Sequence, residues 1–307
     1  MKTQRHLGLS FLRGRIQAAE IEHGKHVQLT GLAERDSTLD FSQVGAQLNA
    51  THPQLRTFVS ELKELINENR FLAGIISYAL PPDPVFINMI PADPSLKGPE
   101  LNEYLQWEME QYYPGTPPKE FIIDSHALRT PKGAPKELFM VSVRKGMAGF
   151  IQKVTTDLKL KLNIIDIDQF STEKTLLFNY PEVLDHPIVL FGVRFGYVDA
   201  SLVHKGEMSD YRSFRSNSDT DVKKAIHQYL KYLKEKDVQE TPAALLLHGA
   251  DIPQNLILAL RTETGIKQTL AINSCRKLPT SAKVSKPLLQ ESYRFAAAIG
   301  LALRSIE

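Results

Sequence analysis

The chain has 307 residues, 42% of them apolar, 23% charged, with a formal net charge of +2. Length asks for two or more compact cores, and the near-neutral charge gives no general argument for nucleic acid or for an acidic substrate. No apolar run approaches the roughly 20 residues of a spanning helix, the start MKTQRHLGLSF lacks the apolar core of a signal peptide, and the single cysteine, Cys275, has no thiol partner, so the expectation is a cytosolic protein with an inert thiol.

In chain order, strands are predicted near His6 to Phe11, Ile16 to Glu22 and Val27 to Leu32, with a glycine-containing turn at Gly14 and another at Gly24. The polar stretch 33–52 reads as a loop holding at most a short helix. Leu55, Phe58, Val59, Leu62, Leu65 and Ile66 then fall at helical spacing over 54–70, and LAGIISYAL over 72–80 reads as a buried strand. Pro81, Pro82 and Pro84 break the chain before the extended FINMIPAD, closed by Pro91 and Pro94.

A helix is predicted over 96–113, with Pro99 in its first turn, acidic residues at its start, and Leu101, Tyr104, Leu105, Trp107 or Glu108, and Tyr112 on its apolar face. Trp107 is taken there as a core residue rather than a binding anchor. Two strands follow, EFIIDSHAL and KELFMVSVR, separated by the turn TPKGAP, then a helix over 145–162 and the strand IIDID. Together these make a small α+β module inserted between two halves.

The second half opens with VLFGVRFGYVDASLVHKGE, 189–207, which repeats LGLSFLRGRIQAAEIEHGK, 7–25, at a constant offset of 182 positions. Gly14, Ala18 and Gly24 align with Gly196, Ala200 and Gly206, and the apolar positions align as well. A period this long implies two similar domains facing each other. An amphipathic helix over 219–236 follows. Asp251 before Pro253 marks a turn into the helix NLILALRTETG with Gly265 at its stop, and RFAAAIGLALR over 294–304 is a small-residue helix that permits close approach.

On these pieces the chain resembles the PilM family, actin-like proteins of type IV pilus assembly related to FtsA. The proline corners at Leu80–Pro81 and Ile90–Pro91, the acidic helix end Glu108 to Pro114, Asp124 on its strand, LLLHGADIPQNLILALRTETGI and the terminal helix carry the likeness. The resemblance implies an α/β, actin-like fold: a duplicated ribonuclease H-like, two-lobed architecture with an inserted α+β subdomain. Residues 1–82 plus 168–186 are expected to form the first subdomain, 83–167 the insertion, and 187–307 the second, with the C-terminal helix packing back between lobes. The outer second subdomain is expected to be truncated, because the strand near 212–215 runs almost directly into the next helix.

In the actin-like ATPases each repeat's turn carries an aspartate and, two residues on, a glycine, which organise Mg²⁺ and admit the phosphates. Here those positions are Ser10 and Leu12 in the first turn, Gly192 and Arg194 in the second, and the adenosine turn keeps one glycine in Gly249–Ala250. The expectation is a pseudo-ATPase without catalytic residues, cofactor or metal. What the resemblance implies instead is a cytoplasmic scaffold, peripheral at the inner membrane through its partners. Its groove between the first subdomain and the insertion would bind the cytoplasmic tail of a PilN-like membrane protein by strand pairing. The similarly built cytoplasmic domain of the secretion protein GspL suggests a type II secretion platform as a related setting. The alternative is a nucleotide-binding switch or weak ATPase in which Arg13, Arg15 and Arg194 hold phosphate by charge. His23 and His26 read as a surface turn rather than a metal site, and Arg276, Lys277, Lys283 and Lys286 as a solvated mobile loop rather than a lipid contact.

Overall fold

A computed structural model describes residues 3–12, 14–93, 95–128, 137–236, 241–250 and 252–304. Arg13, Pro94, Asp251 and the turn TPKGAP lie outside the described residues.

The chain opens as a meander of β1 (Gln4–Leu12), β2 (Arg15–His23) and β3 (Val27–Asp36), followed by the one-turn helix α1 (Phe41–Val44) and then α2 (Leu55–Glu68). α2 buries Leu55, Phe58, Val59, Leu62 and Leu65, the stripe predicted from spacing. β4 (Ile75–Leu80) then lies parallel to β1. The inserted segment follows as β5 (Phe86–Pro91), α3 (Gly98–Tyr112), β6 (Phe121–Ala127) and β7 (Glu137–Arg144), a three-stranded sheet in the order β5-β7-β6 with α3 on one face. After it come α4 (Lys145–Asp157), β8 (Lys161–Ile167) and α5 (Asp168–Asn179).

The second half repeats the plan: β9 (Ile188–Arg194), β10 (Gly196–His204), β11 (Glu207–Ser216), α6 (Asp219–Glu235), β12 (Ala244–Gly249), α7 (Gln254–Thr264), β13 (Gln268–Ala271), α8 (Lys286–Gln290) and α9 (Ala296–Ala302). Its sheet order β11-β10-β9-β12-β13 is the counterpart of β3-β2-β1-β4-β8. The likeness extends to irregularities. Gly14 and Gly196 both turn their hairpins with positive φ. The β2–β3 ladder slips at Glu20/Ile21 and the β10–β11 ladder at Leu202/Val203, the same offset apart. Only Asn217 and Ser218 separate β11 from α6, in keeping with a truncated outer subdomain. Ser218 caps α6, its Oγ accepting from the Asp221 amide.

Three readings need correction. α4 and β8, assigned by sequence to the insertion, belong to the first lobe. β8 pairs parallel with β4, and Met147, Phe150, Ile151 and Val154 of α4 lie in one core with Phe41 and Phe58. The insertion is therefore about residues 81–144, and the helix predicted to 162 stops at Asp157 because β8 begins at Lys161.

α5, unrecognised in the sequence, follows the first sheet but packs on the second. Leu176 and nearby Tyr180 and Val183 sit against Ile188, Leu190 and Val203. α9 does the converse, with Ala298, Ile299 and Ala302 against Ala19, Ile21 and Leu29 of the first sheet. The two helices cross where neither has bulk, so a methyl at Gly300 would run into the Ser171 carbonyl; α9 lies as close on the first sheet, where a methyl at Gly8 of β1 would run into the Ala298 carbonyl. The small residues of α9 thus serve the close approach expected of them.

The third correction concerns the basic loop. Thr280 bridges Leu29 on the outer edge of β3, the Leu29 amide donates to Pro279 O at 2.9 Å, and the Ser281 amide donates to Leu29 O at 2.9 Å. Arg276 and Lys277 both pair with Glu182. This segment is a strap that covers an open edge strand.

Candidate functional site

Two places collect polar and apolar groups around α5: the cleft between the lobes, and a groove between the first lobe and the inserted sheet. The first is built around the turns that end β1 and β9, where Arg194 of β9 reaches Asp83 beyond the end of β4. Ser10 is buried between Gln17 and Ala79 in the sheet, and Leu12 is buried beside it. No carboxylate stands at either position.

At the end of β9, Gly192 packs against side chains of α5 and β12. A Cβ there would lie 2.6 Å from Gln169 Oε1 and 2.9 Å from His248 Nε2. The Gln169 amide donates to Leu190 O at 3.0 Å and to Ser201 Oγ at 2.8 Å, which leaves its Oε1 to accept from His248 Nε2–H at 2.8 Å. Burial pushes His248 down to about 4, so the ring is neutral. The glycine here makes room for a buried network rather than for a phosphate.

Arg194 is buried, and its guanidinium is held from two sides. Nε donates to Asp199 on the neighbouring strand β10, and Nη1 donates to Asp83, in the proline corner after β4. Tyr211 donates its hydroxyl to the other Asp199 oxygen at 2.7 Å. Burial opposes the arginine's charge, but Asp199 and Asp83 outweigh it and raise its pKa. The Asp83–Arg194 pair spans the lobes. Asp168 stands at the start of α5 near this cluster. Burial pushes its carboxyl up to about 7 against the pull of Arg194, with Asp199 and Asp166 adding to the rise.

The adenosine turn is closed in the same way. Gly249 has φ +102° and lies against the Val193 carbonyl, to which the Ala250 amide donates at 2.7 Å. Of the three arginines proposed to hold phosphate, Arg13 lies outside the described residues, and Arg15 pairs with Glu34 at 3.1 Å and Asp36 at 2.9 Å. Arg194 is spent on Asp83 and Asp199. A Mg²⁺–triphosphate group therefore does not fit the residues present. The first turn offers no carboxylate, the second presents an engaged cation, and the base-side amide is already donated. Among the described residues no group of three or more His, Cys, Asp or Glu is placed to hold a metal.

His23, one of the histidines weighed as a ligand, donates from Nε2 to Ala302 O at 2.7 Å and so caps the last turn of α9. His26 is exposed in the hairpin turn. Burial pushes the Cys275 thiol up to about 12, as an inert residue requires. Trp107 overturns its reading: it is 54% exposed, its ring beside Tyr104, while Leu105 and Met109 form the buried stripe of α3.

The second place is a cavity of about 300 Å³. One wall is Leu80 at the end of β4 with Ile165, Asp166 and Ile167 of β8, the last strand of the first sheet. The other is the outer face of the inserted sheet, Ile122, Asp124 and His126 of β6 with Phe139, Val141 and Val143 of β7. Phe170 of α5 and Val85 of the proline corner also line it. Alternation assigns these faces: Phe121, Ile123 and Met140 point the other way and pack on α3. The sequence located this groove only through the resemblance. It missed Asp83, Asp168 and Asp199, whose types are ordinary; Arg194, the partner of Asp83, lies 111 positions away.

No model of a known protein family matches the chain, and no curated protein matches it. Among solved structures, the PilM-PilN type IV pilus biogenesis complex contains a chain that superposes with a TM-score of 0.78 at 18% identity, covering 98% of both chains. A Bacteroides thetaiotaomicron protein with actin-like ATPase fold and unknown function gives 0.52 at 14% identity, over 88% of this chain and 91% of that one. The cytoplasmic domain of EpsL, an inner membrane component of the Vibrio cholerae type II secretion system, gives 0.45 at 8% identity over 96% and 94%. The chain has the actin-like fold, in the two-lobed form expected of it.

Proposed function

We propose that this chain is a cytoplasmic scaffold of a type IV pilus or type II secretion-like inner-membrane platform, binding the cytoplasmic tail of a PilN-like membrane protein without hydrolysing ATP. The observation that carries the reading is the groove. In a chain that shares its fold over 98% of its length with one from a PilM-PilN complex, an apolar channel runs between the β8 edge and the inserted sheet. An extended tail laid there pairs with a strand edge and seats alternate side chains on Leu80, Val85, Phe139 and Val141. No helix among the described residues is long and apolar enough to cross a membrane.

The absence of hydrolysis rests on the cleft, where Arg194 is neutralised by two carboxylates at the turn that would face phosphate. Affinity capture with the cytoplasmic tail of a PilN-like membrane protein tests the scaffold reading, which fails if the tail is not retained. Isothermal titration with ATP and Mg²⁺ tests the second point. No heat is expected at low micromolar concentration, and binding there would favour the nucleotide-switch alternative.

A further inference from the structure

The groove is bordered by two strands that each end a sheet, β6 of the inserted sheet and β8 of the first lobe. Such edges offer unpaired backbone groups to any extended chain. On both, an aspartate folds back over the next amide: Asp124 Oδ1 accepts from Ser125 N–H at 2.8 Å, and Asp166 Oδ1 from Ile167 N–H at 2.8 Å. Asn88 does the same for Met89 N–H, at 2.9 Å, on the far edge β5.

The register shows that the Ser125 amide faces outward. Leu128 N–H donates to Glu137 O at 3.0 Å, and β6 and β7 are antiparallel with Asp124 opposite Val141. Alternation then turns the backbone of Asp124 and His126 toward β7 and that of Ile123 and Ser125 away from it. Asp124 thus covers an amide that an added strand would need.

The two aspartates differ in what holds them. Asp166 also accepts from Ser171 Oγ at 2.9 Å and pairs with Arg304, so its edge is fastened to α5 and to the end of α9. Asp124 is exposed and makes no other hydrogen bond or ion pair among the described residues. Among the described residues that line the groove there is no lysine or arginine.

We infer that β6 is the docking edge and that Asp124 is its gate: a basic side chain on the incoming extended tail draws the Asp124 carboxylate off the Ser125 amide, which then donates to the tail's backbone. This rests on the scaffold reading and adds to it the acceptor strand, the specificity residue and the partner's charge. Asn retains an oxygen to cover the amide but lacks the charge, so Asp124→Asn keeps the gate and loses its trigger.

The test is amide exchange and titration on the full chain, using a synthetic peptide of a PilN-like protein's cytoplasmic tail that carries lysine or arginine and a version with its lysines and arginines replaced by glutamine. The expected result has three parts. The Ile123 and Ser125 amides become protected when the basic peptide binds. Asp124→Asn weakens that peptide at least fivefold at 50 mM salt and by less than twofold at 500 mM. The neutral peptide binds both proteins equally. Binding of the tail with unchanged exchange at Ile123 and Ser125, or with protection on β8 instead, overturns the inference and leaves the scaffold reading standing. Failure of the unaltered chain to bind the peptide refutes both.

Discussion

Replacing Arg194 by methionine probes the cleft most directly. The side chains of Arg194 and Asp199 are 7% and 2% exposed. Methionine keeps much of the stem's volume but leaves the Asp199 carboxylate buried with only the Tyr211 hydroxyl as partner. Breaking one side of a buried pair costs about 3–5 kcal/mol, because the remaining charge is uncompensated. For a chain of this size that lowers the melting temperature by on the order of 10 °C, followed by circular dichroism. Asp83→Asn removes only the partner across the lobes, whose side chain is 17% exposed, and costs about 1–2 kcal/mol. The double change Arg194→Met with Asp199→Asn should recover at least half of the single loss, since the most deeply buried charge, that of Asp199, is removed with its partner. The reasoning is refuted if Arg194→Met melts within 2 °C of the parent, or if the double variant is no more stable than the single one.

Asp168, with its folded-state carboxyl at about 7 and an ordinary value near 3.8, makes folding most favourable below pH 4, and that contribution is lost as pH rises through 7. Urea unfolding of Asp168→Asn should therefore show a gain at pH 8 of up to about 4 kcal/mol relative to the parent, shrinking toward pH 4. His6 and His248, both held near 4 by burial, act in the opposite sense: their contribution is present above pH 6.5 and lost as pH falls toward 4, so His248→Gln should flatten the acid limb of the same titration. Gly300→Ala, which in an ordinary helix would stabilise by up to ~1 kcal/mol, should instead destabilise by about 1–3 kcal/mol or more in thermal melts, because the methyl meets the Ser171 carbonyl. Trp107→Ala should change stability by no more than about 0.5 kcal/mol, whereas a core tryptophan would cost about 3–5.

Much of the architecture was legible because it is written locally. The hairpins of both halves declare themselves by alternation and by glycines at 14 and 196, and α2 and α6 by their apolar stripes. α5 was not legible. Its buried face carries Gln169, Ser171, Thr172, Thr175 and Asn179, polar side chains that bond both to carbonyls of α5 and to the segments it meets, so no apolar period marks it. α3 was misread at one position because aromatic residues lie on both of its faces, and only packing on the inserted sheet chooses Met109 over Trp107.

The phosphate turns divide in the same way. Sequence by itself determined that Ser10 pairs with Gly192 and Leu12 with Arg194, because a repeat at constant offset aligns residues without coordinates, while the acid and the glycine expected at those positions are what the resemblance implies. It also determined the duplicated strand plan, since strand periodicity and turn glycines are short-range properties. Only the tertiary structure decided what became of Arg194, whose partner Asp83 is 111 positions away, and which helix covers which sheet. Ion pairs and crossing helices depend on where two distant segments dock, and nothing in either segment alone records the distance between them.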